Sequence, residues 1–382
     1  MMVEWLELGG LLKSVNSGLN PRNNFVLNED GACNFYVTVK EITTGKIRFN
    51  DKTDKVTDAA LKIIQNRSNL EMGDVLVSGI GTIGKVAIVD IPCDNWNCSE
   101  SVLLLKVKKE KILPKYLMYI LSGERVQRIW EKESVGSTLK GIRKAALVKM
   151  QIPVPPICEQ EIIVKKLDAF TCLIEKLDEE IELRKQQFSF YLENIIFDDE
   201  NSNSLSDYAF MGKGRISADK LSFDNYVSVE NLLKNKAGRR DAETIPSEGN
   251  WLAYSTEDVL IGNIRPYLRK IWFADRNGGT NGDVVVVRSK DKNQLQPRFL
   301  YYLLSSEKFF NYYSSSVKDG KMPRGDKGKL LDFAFPYKEK DIQSSLIEKF
   351  DTMNTLISKL EEERDLRQKQ YEYYREKLLT FE

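Results

Sequence analysis

The chain repeats itself, and any fold it adopts must house the same design twice. Residues 167–195, "LDAFTCLIEKLDEEIELRKQQFSFYLENI", align without a gap to residues 350–378, "FDTMNTLISKLEEERDLRQKQYEYYREKL". The offset is about 183 and roughly four positions in ten are identical. Upstream, "LPKYLMYILSGE" (113–124) answers "QPRFLYYLLSSE" (296–307), and "GDVLVSGIG" (73–81) answers "EDVLIGNIR" (257–265). "YVTVKEI" (36–42) answers "YVSVENL" (226–232). A period this long is no solenoid; it is a duplicated globular part, each copy followed by a charged helix. The division this predicts is a globular part over 1–155, a helix over 156–198, a second globular part over 199–338 and a second helix over 339–382.

Both helical segments carry a heptad-like seam. In the first, Ile163, Leu167, Phe170, Ile174, Leu177, Ile181, Phe188, Tyr191 and Ile195 follow alternating steps of four and three, with Arg184 as the polar interruption. In the second, the series is Phe350, Met353, Ile357, Leu360, Tyr371, Tyr374 and Leu378, with Arg364 and Arg367 interrupting. About 35 residues at 1.5 Å each reach about 50 Å, longer than a helix lying along a small domain needs. The length therefore favours helix-on-helix packing, a coiled coil. The first helix opens after "PVPPICEQ", where Pro156 suits the first turn and Glu159 and Glu161 suit the positive end of the helix dipole. In the globular parts, "DVLVS", "KVAIVD", "SVLLLKV", "DVLIG", "KIWFAD" and "DVVVVRS" read as strands. "PKYLMYILSGERVQRIWEKES" and "PRFLYYLLSSEKFFNYYSSS" each read as a helical stretch opening on proline. The predicted fold class is α+β.

Charge divides along the same lines. The formal net charge is +1. Residues 159–200 carry about −7 and 339–382 about −3, which leaves about +11 for the globular parts. A basic remainder suits a polyanion, and an acidic coil suits protein. The chain has no histidine, which removes imidazole bases, Ser-His triads and histidine metal sites. Cys33, Cys93, Cys98, Cys158 and Cys172 are odd in number and irregular in spacing, which predicts free thiols in a reducing cytoplasm, and no zinc-site spacing. No run of apolar residues is long enough for a membrane span, and the N-terminus lacks the basic-then-apolar order of a signal peptide.

"SGIGTIGKV" (78–86) spaces Gly79, Gly81 and Gly84 as G-x-G-x-x-G, the pattern of a nucleotide-binding turn. The second copy argues against that use. It reads "IGNIRPYLRKIWFAD" (261–275), keeps Gly262 alone, and puts Arg265, Arg269 and Lys270 in the turn. A dinucleotide fold needs a helix opening at the third glycine, but "KVAIVD" continues as strand. A kinase needs its H-R-D loop. Glycines in such a turn let backbone approach a nucleic-acid phosphate, and arginines reach phosphates or guanine edges; a tight hairpin with no ligand is the alternative. "SVGSTLKGIRK" (134–144) and "SVKDGKMPRGDKGK" (316–329) sit in matching places and mix Ser, Gly, Lys and Arg, as phosphate-positioning loops do or as solvated loops do.

The duplicated layout, "GDVLVSGIGTIGKVAIV" (73–89), "SVGSTLKGI" (134–142) and "IPVPPICEQ" (152–160) leading into a coil together resemble the specificity subunits of type I restriction-modification enzymes. The second copy departs from the pattern: "FPYKEKDIQ" (335–343) keeps Pro336 and Gln343 but lacks the proline pair. The resemblance implies two tandem α/β target recognition domains, each followed by a long helix, with the helices forming an antiparallel coiled coil. It implies that each domain reads one half of a bipartite site in double-stranded DNA. Two methyltransferase subunits and two restriction/translocase subunits would assemble on the chain. S-adenosylmethionine, ATP and Mg would belong to those partners, with no catalytic residue, metal or cofactor in this chain. Consistent with that, the sequence contains neither a G-x-x-x-x-G-K-[ST] loop nor an Asn-Pro-Pro-aromatic motif.

The predicted DNA-contacting residues are Ser78, Gly79, Gly81, Thr82, Gly84, Lys85, Thr138, Lys140 and Arg143 in the first copy, and Asn263, Arg265, Arg269, Lys270, Lys321, Arg324 and Lys327 in the second. The predicted seam is Leu167, Phe170, Ile174, Leu177 and Ile181 with Phe350, Met353, Ile357 and Leu360. Three other readings stand beside this one: a coiled-coil scaffold, a recognition subunit of a related methylase-nuclease system, and a nucleotide-binding enzyme using the Gly79–Gly84 loop.

Overall fold

The continuous apolar runs of the sequence become strands buried on both faces. The computed structural model describes residues 3–43, 45–133, 141–198, 202–315, 317 and 322–381. The chain divides into two units, one of residues 1–176 with 364–382, the other of residues 177–363.

Unit 1 runs β1 (Glu4–Glu7), α1 (Leu8–Leu11), β2 (Leu12–Ser17), β3 (Asn34–Val37), β4 (Lys55–Val56), α2 (Asp58–Ser68), β5 (Val75–Ser78), β6 (Val86–Ile88), β7 (Trp96–Cys98), β8 (Val102–Val107), α3 (Pro114–Ser122), α4 (Glu124–Glu133), α5 (Lys144–Lys149) and β9 (Gln151–Val154), then enters the central helix α6 (Ile157–Ile196). An antiparallel sheet of order β2-β8-β5-β6 lies next to a smaller one of order β4-β3-β7, and β1 pairs with β9. Side chains alternate along the strands of the larger sheet. Val75, Val77, Leu103 and Leu105 join the core with helix residues Leu117, Leu121 and Trp130. Leu76, Val102 and Leu104 join the core with Val37, Trp96 and Cys98 of the smaller sheet. A strand covered on both sides has no polar face to show, hence "DVLVS" and "SVLLLKV".

Unit 2 repeats the larger sheet strand for strand. Its elements are β10 (Asn203–Ser204), α7 (Leu205–Tyr208), β11 (Ala209–Met211), β12 (Arg215–Ser217), β13 (Tyr226–Val227), β14 (Asn250–Tyr254), β15 (Val259–Gly262), β16 (Ile271–Phe273), β17 (Gly278–Thr280), β18 (Val284–Ser289), α8 (Pro297–Leu304), α9 (Glu307–Ser315), α10 (Lys327–Leu330), β19 (Ala334–Phe335) and the C-terminal helix α11 (Lys340–Leu379). The order β11-β18-β15-β16 matches β2-β8-β5-β6, and β10-β19 matches β1-β9. The smaller sheets diverge. Each keeps one parallel pair, β3-β7 and β13-β17, but unit 1 adds β4 beside β3, whereas unit 2 adds β14 and then β12 beside β17.

The stretches read as single helices after "LPKY" and "QPRF" are each two helices, α3–α4 and α8–α9. The break has a local cause and a partner. Gly123 leaves the helical region at φ −71° and ψ 151°, and the Glu124 N–H donates to the Glu376 carboxylate at 3.0 Å. In unit 2 the Glu307 and Lys308 N–H groups donate to the Glu193 carboxylate in the same way. Each new helix start is thus capped by an acid from a long helix, which also favours the dipole.

The long helices explain where the units part. Both are 40 residues, about 60 Å. Ile163 and Leu167 lie in the core of unit 1 with Tyr371, whereas Leu192 and Ile196 lie in the core of unit 2 with Leu346 and Phe350. Each helix is therefore cut between the units rather than forming a segment of its own. Within unit 2 the two helices are antiparallel: Lys185 pairs with Glu361 at 2.6 Å, and Phe188 meets Phe350 edge-on. Within unit 1, Phe170 stacks on Tyr374 with ring centroids 5.4 Å apart. Among the predicted seam residues, Leu167, Leu177, Ile181, Phe350 and Ile357 are buried, and Phe170, Ile174, Met353 and Leu360 are half-buried. Among the described residues no helix is long and apolar enough to cross a membrane.

Candidate nucleic-acid interface

The hairpin β5–β6 of unit 1 and the hairpin β15–β16 of unit 2 are the same device with different tips. Both close on one hydrogen bond at 2.9 Å, from Ser78 N–H to Lys85 C=O and from Gly262 N–H to Lys270 C=O. Each leads into a bridge with the loop that precedes the short helix, Ile80 to Gly141 and Ile264 to Arg324. Those bridges bring together the two loops singled out in each copy of the sequence.

Several predicted contact residues turn inward and build this device. Ser78 is 0 % exposed, and its Oγ accepts the Lys85 N–H at 2.8 Å. Asn263 is 3 % exposed, and its Oδ1 accepts the Tyr313 hydroxyl. Gly84 has φ +85°, and a Cβ there would lie 2.4 Å from Gln127 Oε1, so the third glycine makes room for α4. Lys85 donates from Nζ to Val39 C=O at 2.8 Å, and Lys270 makes the equivalent bond to Val229 C=O at 2.6 Å. Both lysines tie the hairpin to the turn that follows β3 or β13. Burial, with the positive charge of Lys234, holds the Lys270 ammonium below the usual lysine range. The expectation of direct contact therefore gives way, for Ser78, Gly84 and Asn263, to a positioning role, because a buried group bonded internally has no face left for a ligand. Strand β6 follows Gly84 directly, so no helix opens there to hold a pyrophosphate.

Other predicted residues reach solvent. Gly81 and Thr82 are exposed at the unit 1 tip beside Ile80, and Gly81 takes φ +84° with open space around it. Gly79 is buried, but its N–H and C=O bond Ser101 and Ile142, so it fixes the tip. Arg143 is exposed at the start of α5. In unit 2, Arg265 is exposed, Arg269 pairs with Glu307 at 2.6 Å, Arg324 pairs with Asp283 at 3.2 Å, and Lys327 donates to Gly282 C=O. Thr138, Lys140 and Lys321 lie outside the described residues.

Sequence reasoning missed a second basic segment. Asn235 and Lys236 N–H groups donate to Leu268 and Arg269 C=O, each at 2.9 Å, which lays "KNKAGRR" (234–240) beside the unit 2 tip. Arg240 is more than half exposed, and Lys236 shares Glu307 with Arg269. The basic run was visible in the sequence; its distance from the hairpin was not. Tyr267, an exposed aromatic at the tip, was also missed.

Polar groups behind the tips repeat as well. Gln160 is buried; its Oε1 accepts the Leu113 N–H, and its Nε2 donates to Lys111 and Pro155 C=O. Gln343 accepts from Gln296 N–H and donates to Gln294 and Lys338 C=O. Asp168 holds Lys115 and Tyr119, and Asp351 holds Arg298 and Tyr302. Asp74 and Asp258 bind Lys106 and Arg288. The glutamines and Asp168 or Asp351 tie the start of α3 or α8 to the long helix, and Asp74 or Asp258 joins neighbouring strands of the hairpin's sheet.

Comparison with known proteins agrees with this layout. Residues 2–183 match the type I restriction modification DNA specificity domain. The EcoR124I/EcoR124II specificity subunit of Escherichia coli is 26% identical over 255 residues, 61% of this chain and 63% of that protein. The putative MjaX specificity subunit of Methanocaldococcus jannaschii is 31% identical over 183 residues, 46% of this chain and 41% of that one. The matches thus span less than two thirds of these two relatives. A putative type I specificity subunit of Haemophilus influenzae is 26% identical over 306 residues, 72% of this chain and 74% of that one. The crystal structure of the type I restriction-modification S subunit from M. genitalium shares the fold with a TM-score of 0.58 at 15% identity, covering 100% of this chain and 97% of that one. With residues 2–183 matched to the specificity domain and the framework of that part repeated in the second half, the chain is similar to type I restriction-modification specificity subunits.

Proposed function

We propose that this chain is the DNA-reading subunit of a type I restriction-modification complex. In this reading the globular parts over 1–155 and 199–338 each recognise one half of a bipartite duplex target. The observation that carries it is the duplicated hairpin: the same closing bond and the same loop bridge present two tips of different chemistry. Equal frameworks with unequal tips are what two different half-sites require, since framework contacts position and exposed side chains specify. Lys234, Arg240 and Arg265 would meet phosphates in unit 2, and Arg143 in unit 1.

The long helices are the proposed docking surface for methyltransferase subunits, and through them for restriction subunits. Their outward faces support this. Leu173, Leu366 and Tyr373 of unit 1 are exposed, and so are their repeat counterparts Leu356, Leu183 and Phe190 of unit 2. Large apolar side chains exposed at matched positions suit a protein partner. S-adenosylmethionine, ATP and Mg would be bound by those partners, which would carry the catalysis, in the cytoplasm.

A map of adenine methylation in cells carrying the chain and its methyltransferase partner tests this. Two short specific sequences around a fixed spacer are expected. Methylation that does not change when the chain is deleted, while the partner stays active, would remove the reading.

A further inference from the structure

The two hairpins differ by one residue between equivalent anchors, Ser78–Lys85 and Gly262–Lys270. The longer hairpin makes a short 3-10 turn, Pro266–Leu268, with Tyr267 at its apex and 56% exposed. Arginines bound the turn on both sides, and both are left-handed, Arg265 at φ +50° and Arg269 at φ +51°. For a residue with a Cβ that conformation costs about 1–2 kcal/mol. It persists only where surrounding contacts over-determine it, and such places concentrate at ligand-contacting sites.

The clamps are on every side of the turn. Arg265 N–H donates to Pro323 C=O at 2.7 Å, Leu268 N–H to Arg265 C=O at 2.8 Å, and Arg269 N–H to Pro266 C=O at 2.8 Å. From the neighbouring segment, Asn235 and Lys236 hold the carbonyls of Leu268 and Arg269. Arg269 is further tied to Glu307 at the start of α9, and Pro266 is buried. All of this fixes the backbone, and the side chain it aims at solvent is a phenol ring. Unit 1 has no aromatic at its tip, only Ile80, Gly81 and Thr82.

We infer that Tyr267 is a specificity-determining residue, whose ring packs against a base of the half-site read by unit 2. The inference rests on the DNA-reading function proposed above. Phosphates are served by the cations beside the ring, Arg265 on the turn and Lys234 and Arg240 on the segment bonded to it. The Tyr267 hydroxyl could donate to a phosphate, as the neighbouring cations do, but only the ring's apolar face and edge suit a base or a thymine methyl group, and Tyr267→Phe separates the two. A rigid mount adds to this, since little ordering remains to be done on binding.

Selection from a randomised duplex pool tests the inference, using the full chain with whatever subunits co-purify. The wild-type protein should enrich two separated sequences. Tyr267→Ala should bind about tenfold more weakly and lose preference at one position of one half only, with an unchanged melting temperature. Tyr267→Phe should keep both halves, because it keeps the ring. If Tyr267→Ala enriches the wild-type sequences with wild-type affinity, the role of Tyr267 is overturned and the DNA-reading function stands. Loss of both halves in Tyr267→Ala, or of the half-site in Tyr267→Phe, also overturns the base contact by the ring. If the wild-type protein enriches nothing, the DNA-reading function falls, and the inference with it.

Discussion

Unit 1 and unit 2 agree in the packing of the larger sheet and its helices and disagree at the hairpin tips. The agreement extends to single hydrogen bonds. Gln160 and Gln343 each satisfy three backbone groups, Asp168 and Asp351 each take one cation and one tyrosine, and Lys85 and Lys270 each reach a carbonyl in the turn after β3 or β13. The disagreement lies at the hairpin tips, glycine-rich and uncharged in one unit, arginine- and tyrosine-bearing in the other. The smaller sheets differ too, three strands against four. A buried polar group is held in place by the cost of leaving its partners unpaired. An exposed tip is under no such constraint and is free to take the chemistry its own ligand needs.

The comparison breaks most easily at the helix seam. Leu167→Asp in unit 1 and Phe350→Asp in unit 2 should each cost about 5 kcal/mol, from lost apolar burial and an unpaired buried charge. Denaturant titration of the full chain should show comparable losses. An unchanged midpoint for either variant would remove that position from the seam. Next in size, Gln160→Leu and Gln343→Leu should each cost about 3 kcal/mol, because each strands three backbone groups. A large loss in one unit and none in the other would show that the shared framework is not shared energetically.

Smaller effects sharpen the difference between the tips. Arg265→Ala should weaken duplex binding by about 1–3 kcal/mol and flatten its salt dependence, with stability unchanged. Equilibrium binding at two salt concentrations measures both, and wild-type affinity would exclude Arg265 from the interface. The smallest effect concerns the half-exposed ion pairs. Asp168→Asn and Asp351→Asn should each cost about 1 kcal/mol or less, because solvent screens both pairs. A thermal melt checks this, and a loss as large as that of the glutamine variants would mean that these carboxylates carry more of the helix packing than their exposure implies.

Much of the architecture was legible in the sequence. Duplication is a property of residue order, so aligning 167–195 with 350–378 was enough to reveal it. Heptad spacing and unbroken apolar runs report burial directly, since a helix stripe and a two-face strand each impose their own period. The divided helices were not legible. Gly123 was visible, but the Glu376 cap comes from 252 residues away in the chain. The same limit applied to the candidate interface. Residue type alone nominated Ser78, Asn263, Lys85 and Lys270 together with Thr82 and Arg265, because small, polar and basic residues look alike in a list. Tertiary structure separated them, turning the first four toward internal partners and leaving the last two in solvent. It also set "KNKAGRR" beside the tip and raised Tyr267 to its apex. The sequence by itself determined that there are two like units and two seamed helices, because periodicity and repetition are local or additive signals. Which side chains stay exposed at the tips was decided only by the tertiary structure, because exposure depends on what a distant segment has already covered.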